Sequence, residues 1–183
     1  DETRIYPLII SYLREFCDAN SLSGFHILFP KDTEIEVLQS QDCFLRHDCQ
    51  YHWFNNNYDD FSEFTAQLTS RKRKNIRRER QAVQNAGVIL RRRDGNTATP
   101  KDWADFAVFY NRTFEEKWGM ATFNQGFFEE MGQALPDNVL LVLADKDGQC
   151  IGGSLMYVSD TRLYGRHWGC IEQVDQLHFE ACY

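Results

Sequence analysis

Val139-Leu140-Leu141-Val142-Leu143-Ala144-Asp145-Lys146-Asp147-Gly148-Gln149-Cys150-Ile151 decides the fold. Six apolar residues run without a break from Val139 to Ala144, which suits a buried strand. Asp145-Lys146-Asp147-Gly148 is a hairpin signal, because Asp-Gly tolerates the positive φ of a tight turn. Cys150 to Val158 then returns as a second strand. Ser159-Asp160-Thr161 turns again, and Arg162 to Trp168 reads as a third. Working backwards, Asn124 opens a helix presenting Phe127, Phe128, Met131 and Leu135. Thr99-Pro100 supplies an N-cap and a first-turn proline for a helix marked by Trp103, Phe106, Ala107, Tyr110, Phe114 and Trp118. Val88 to Arg93 is a strand. The order from Val88 onward is strand, helix, helix, strand, hairpin, strand. The implied class is α+β, a mixed and largely antiparallel sheet flanked by helices.

Upstream, apolar residues at Ile5, Leu8, Ile9, Tyr12, Leu13 and Phe16 have helical spacing. Phe25 to Phe29 suggests a short buried strand, and Thr33-x-x-Glu36 a capping box opening a short helix. Leu45, His47, Cys49, Tyr51 and Trp53 alternate with Arg46, Asp48, Gln50 and His52, the pattern of a half-buried strand. Asp60-x-x-Glu63 is expected to cap one long helix running to about Ala86, stopped by Gly87.

Composition narrows the function. The chain has 183 residues, 43% hydrophobic and 14% aromatic, enough for a real core. No apolar run approaches the roughly 18 residues of a membrane span. The start, Asp1-Glu2-Thr3-Arg4, resembles no signal or transit peptide, and both ends read as cut from a longer chain. Six cysteines without a C-x-x-C pair indicate reduced thiols and a cytoplasmic setting. His47, Cys49 and His52 lack the spacing of a zinc site, and no metal is expected. The net charge is −7, yet half of the 20 Lys and Arg residues fall between Arg71 and Arg93, beside one acid, Glu79. Such a split points to an anionic partner. Ile76 and Val83 would pack inward, leaving Arg71, Lys74 and Arg78 on a shared exposed face.

Three stretches carry a resemblance: Tyr51-His52-Trp53-Phe54-Asn55, the basic run Ser70 to Arg80, and His178-Phe179-Glu180-Ala181-Cys182-Tyr183. Together they resemble the bacterial FemAB-like family, described as peptidoglycan biosynthesis or recognition proteins. The element order from Val88 is similar to the first half of a GNAT acyltransferase domain. The resemblance implies tandem GNAT-like halves. Residues 1–58 would end the first, 59–87 would form a long basic connecting helix, and 88–183 would begin the second. It implies an acyl- or aminoacyl-transferase acting on an amine of a small molecule or cell-wall precursor. The donor would be acetyl-CoA, another acyl-CoA, or aminoacyl-tRNA. The Gln/Arg-x-x-Gly-x-Gly/Ala loop that holds coenzyme A in GNAT domains does not occur between Asp1 and Tyr183.

Acyl transfer to an amine needs a proton acceptor, donors that polarise the carbonyl, and a slot for the substrates. Glu180 is the candidate base. On a strand it would share a face with His178 and Cys182, and aromatic surroundings would raise its pKa. The alternative is a structural ion pair, with Arg166 as partner. His178 is a second base or orients Glu180, and its alternative is a packed core histidine. Tyr183 would protonate a leaving group or simply pack. Arg166 and Trp168 would lie beside this patch, Arg166 holding a carboxylate or phosphate or pairing with Glu172 or Glu180. Arg71, Lys74 and Arg78 would meet tRNA phosphates, rest on an anionic membrane surface, or pair with the acidic remainder of the chain. A non-catalytic module that recognises RNA or cell-wall fragments through the basic helix is the competing reading.

Overall fold

The computed structural model describes residues 2–116 and 119–183, so Trp118, the expected end of one helix, lies outside the described residues. The chain divides into two compact units, Asp1–Asn56 and Asn57–Tyr183.

The first unit contains α1 (Glu2–Ala19) and α2 (Asp32–Ser40), with Ile10, Cys17 and Leu38 buried. Helix α2 begins earlier than the Thr33 box implies. Glu34 accepts from the Lys31 backbone N–H at 2.8 Å, so Lys31 is the cap. Two expected strands are not observed. Residues 25–29 and 43–56 carry no regular structure, and Leu28, Phe29, Tyr51, Trp53 and Phe54 are exposed. Alternation makes a half-buried strand only where a ladder partner and a covering layer exist. Among the described residues neither stretch joins a sheet.

The second unit opens with a helix in two pieces, α3 (Phe61–Ala66) and α4 (Ser70–Asn85), where the sequence suggests one. Asp60 caps α3 as expected, its carboxylate accepting from Glu63 N–H at 2.9 Å. The break comes at Thr69, whose extended backbone and hydroxyl start a new N-terminus on Lys72 N–H. Arg73 donates to the carbonyls of Thr65 and Ala66, satisfying the end of α3.

Strands β1 (Ile89–Arg93), β2 (Val139–Lys146), β3 (Gln149–Val158) and β4 (Leu163–Cys170) form one open antiparallel sheet in that order. The β2–β3 turn is Asp147-Gly148, both at positive φ. Helices α5 (Pro100–Glu115) and α6 (Gln125–Ala134) cover one face. There Trp103, Phe106, Phe109, Tyr110, Phe128 and Met131 pack on Val139, Leu141, Leu143 and Leu155. Helix α4 and a short α7 (Leu177–Cys182) cover the other, through Val83, Leu177 and Ala181 against Ala144, Ile151, Val142 and Met156. The observed class is mixed α+β, with the alternating residues of β2 feeding two separate cores.

A charge cluster ties β1 to the start of α5. Arg91 donates to Asp102 at 2.9 Å and also pairs with Asp145. Asp102 is buried and completes a capping box with Thr99. Among the described residues no helix is long and apolar enough to cross a membrane.

Candidate functional site around Trp168 and helix α7

The His178 to Tyr183 segment is where structure and sequence expectation differ most. Leu177–Cys182 is helical, not extended. Leu177 and Ala181, four residues apart, are both buried against the sheet. The buried Ser154 hydroxyl donates to the Ala181 carbonyl at 2.9 Å and pins the helix there. In a helix each residue turns about 100°. His178 and Cys182 therefore still share a side, while Glu180 points elsewhere.

That rotation places Glu180 on Arg80. The Arg80 Nε donates to the Glu180 carboxylate at 3.0 Å, and the guanidinium lies 4.5 Å over the Phe61 ring. The partner of Glu180 is thus Arg80, not Arg166, and Glu172 pairs with Lys146. Nothing local could reveal the Arg80 contact, because the two residues are 100 apart in sequence.

His178 sits among rings. Its imidazole lies 5.4 Å from Trp168, 5.4 Å from Phe179 and 6.1 Å from Tyr183. Partial burial lowers its pKa, so the ring is neutral at neutral pH. Next to it is an open cavity of about 280 Å³, lined by Trp168, Cys170, Gln173, Asp175, His178 and Phe179. Burial pushes the Cys182 thiol up to about 11, against the Ser154 hydroxyl, which lowers it. That thiol is not a nucleophile at neutral pH.

Trp168, His178, Phe179 and Tyr183 therefore come together, whereas a strand would have turned Phe179 and Tyr183 away from His178. Arg166 does not join them. Between Leu155/His167 and Met156/Gly165 the β3–β4 register slips, which leaves Arg166 as the extra residue of a bulge. Its charge bears on Tyr157 and His167, whereas Trp168 faces His178. His167 packs on Tyr110, in the core on the α5 side.

The basic helix forms a separate surface. Arg80 and Val83 are the side of α4 turned to α7. Helical rotation puts Arg71, Lys74 and Arg78 on the far side, all exposed. Among the described residues of this unit none of the three lies within ion-pair distance of a carboxylate. Trp103, Phe106, Phe109 and Tyr110 of α5 are core. Among the described residues no three His, Cys, Asp or Glu side chains are grouped to hold a metal ion.

In comparison with known families the chain matches the one described as FemAB-like, peptidoglycan biosynthesis/recognition, over residues 1–183. No curated protein matches the chain.

Proposed function

We propose, from the premise that the chain belongs to the FemAB-like family, that it transfers an acyl or aminoacyl group to an amine of a peptidoglycan precursor at the Trp168–His178 cavity. The observation that carries this is a neutral imidazole beside an open cavity, held among aromatic rings. The amine nitrogen attacks the donor's carbonyl carbon. A new C–N bond forms, and the ester or thioester bond to the carrier breaks. His178 takes the proton from the amine, and the Tyr183 phenol, on the next helical turn, returns one to the leaving oxygen or sulfur. Glu180, engaged by Arg80, holds α7 against α4 and so fixes His178 over Trp168.

We read the strand-helix-helix-three-strand unit as GNAT-like. The donor we favour is aminoacyl-tRNA, its phosphates lying on Arg71, Lys74 and Arg78, which make no ion pair among the described residues of this unit. An acyl-CoA is the alternative donor. Residues 171–176, between β4 and α7, contain no glycine and carry Glu172 and Asp175, a poor cradle for a pyrophosphate. A second reading is a binding module without turnover, favoured by the engagement of the Glu180 carboxylate with Arg80.

The test is aminoacyl-tRNA binding and transfer to a precursor amine, over a salt series with acetyl-CoA as competitor. Transfer should be lost in His178→Gln with binding kept. In the triple variant R71A/K74A/R78A the slope of log affinity against log salt should flatten by about 2–3. Binding without transfer in the unaltered protein would favour the module. Displacement by acetyl-CoA would move the donor to coenzyme A.

A further inference from the structure

The bulge on β4 gathers polar groups that the proposed reaction does not use. His167 is half-buried, its ring edge-on to Tyr110 at 5.0 Å and to Phe123 at 6.4 Å. Tyr157 is half-buried one strand away, and burial raises its pKa against the opposing Arg166 charge, which keeps it a neutral phenol. Arg166 is exposed, at the position where the register slips. Bulges are used to re-aim a side chain, and here Arg166 adjoins His167 on β4, its charge acting on His167 and on Tyr157 of β3. Among the described residues no hydrogen bond or ion pair occupies the Arg166 guanidinium, the His167 ring nitrogens or the Tyr157 hydroxyl. The His167 ring nitrogens and the Tyr157 hydroxyl are not sealed from solvent, and Arg166 as a residue is exposed.

We propose that Tyr157, Arg166 and His167 form a carboxylate-binding site on the α5 face of the sheet, distinct from the Trp168–His178 cavity. The charge count favours a monoanion. One guanidinium supplies the single positive charge and a planar fork. A neutral imidazole and a phenol add one N–H and one O–H donor. His167 is neutral because burial and the Arg166 charge push its pKa down to about 4. A phosphate dianion would bring charge that this cluster does not match. The Tyr110 and Phe123 rings next to His167 offer an apolar wall for whatever carries the carboxylate. The site stands whether or not the chain transfers acyl groups, since it is read by binding.

The experiment is a titration of the full chain with N-acetylglycine, following the histidine ring signals by NMR, with His167 assigned through His167→Gln. The His167 signals should move saturably while those of His178 stay still. Arg166→Gln should weaken binding about tenfold, the loss of one charge-assisted fork. Tyr157→Phe, which keeps the ring, should weaken it by a smaller factor. Three results would each overturn the site: no saturable shift at His167, equal affinity in Arg166→Gln, or tighter binding of inorganic phosphate than of the carboxylate.

Discussion

Gly169 has no room for a side chain. A Cβ there would lie 2.1 Å from the Phe109 carbonyl oxygen and 2.8 Å from the Thr113 hydroxyl. That hydroxyl is within 3.1 Å of the Phe109 carbonyl and 3.0 Å of the Trp168 carbonyl, tying α5 to β4 just before the cavity. Gly169→Ala should therefore cost about 2–3 kcal/mol in urea unfolding, because backbone rather than a flexible side chain must give way. Arg80 works differently, through two partners at once. Arg80→Ala removes both the Glu180 pair and the Phe61 ring contact, and should lower stability by about 1–2 kcal/mol. Arg80→Lys should restore part of this, since an ammonium keeps the charge but not the flat stack. Neither residue stands out in the sequence. Gly169 is one of 11 glycines, and Arg80 ends a basic run whose other members, Arg73 apart, are exposed.

Helix α7 shows how tertiary contact selects an element's conformation. Leu177 to Tyr183 can be read with period 2 or with period 3.6, because Leu177 and Ala181 also fit one helical face. The choice falls to Ile151, Ala144 and Met156, which offer a flat apolar surface, and to Ser154, which offers a hydrogen bond. Ser154→Ala should leave the Ala181 carbonyl without that donor and destabilise the docked helix by about 1 kcal/mol. Amide hydrogen exchange would show this as faster exchange across α7 while β2 and β3 remain protected. The lone hydroxyl inside the run Ile151-Gly152-Gly153-Ser154-Leu155-Met156 was a legible sign that something polar must meet it. What met it was not legible. The split between α3 and α4 has the same origin, since Thr69 acts as a cap and Arg73 satisfies the α3 carbonyls.

At the scale of the molecule, pH should reveal two separate linkages. Burial opposes ionisation of Asp102, but the Thr99 backbone N–H and the Arg91 guanidinium outweigh it and hold that carboxyl below its usual value. The stability from this is present above the unfolded carboxyl pKa of about 4 and is lost as pH falls through the lower folded value. His167 behaves as a base whose folded pKa is depressed. Its unfolded form takes up a proton near 6.5 while the folded form resists until about 4, so stability declines as pH falls across that window and then levels. Urea midpoints measured from pH 7 to pH 3 should show a shallower upper decline in His167→Gln, with the share of His178 remaining, and a shallower lower one in Asp102→Asn. The sequence by itself determined the four strands of the second unit, the helices α5 and α6, the caps at Asp60 and Thr99, a helix start near Asn124, and the exposed basic face of α4. Those follow from hydrophobic period, turn residues and capping, all of which act over a few neighbours. Only the tertiary structure decided that α7 is a helix, that residues 43–56 join no sheet, that Glu180 meets Arg80, and that Arg166 and Trp168 serve opposite sides of the sheet. Those depend on which distant surface is present to accept a side chain or a hydrogen bond, and no local pattern encodes that.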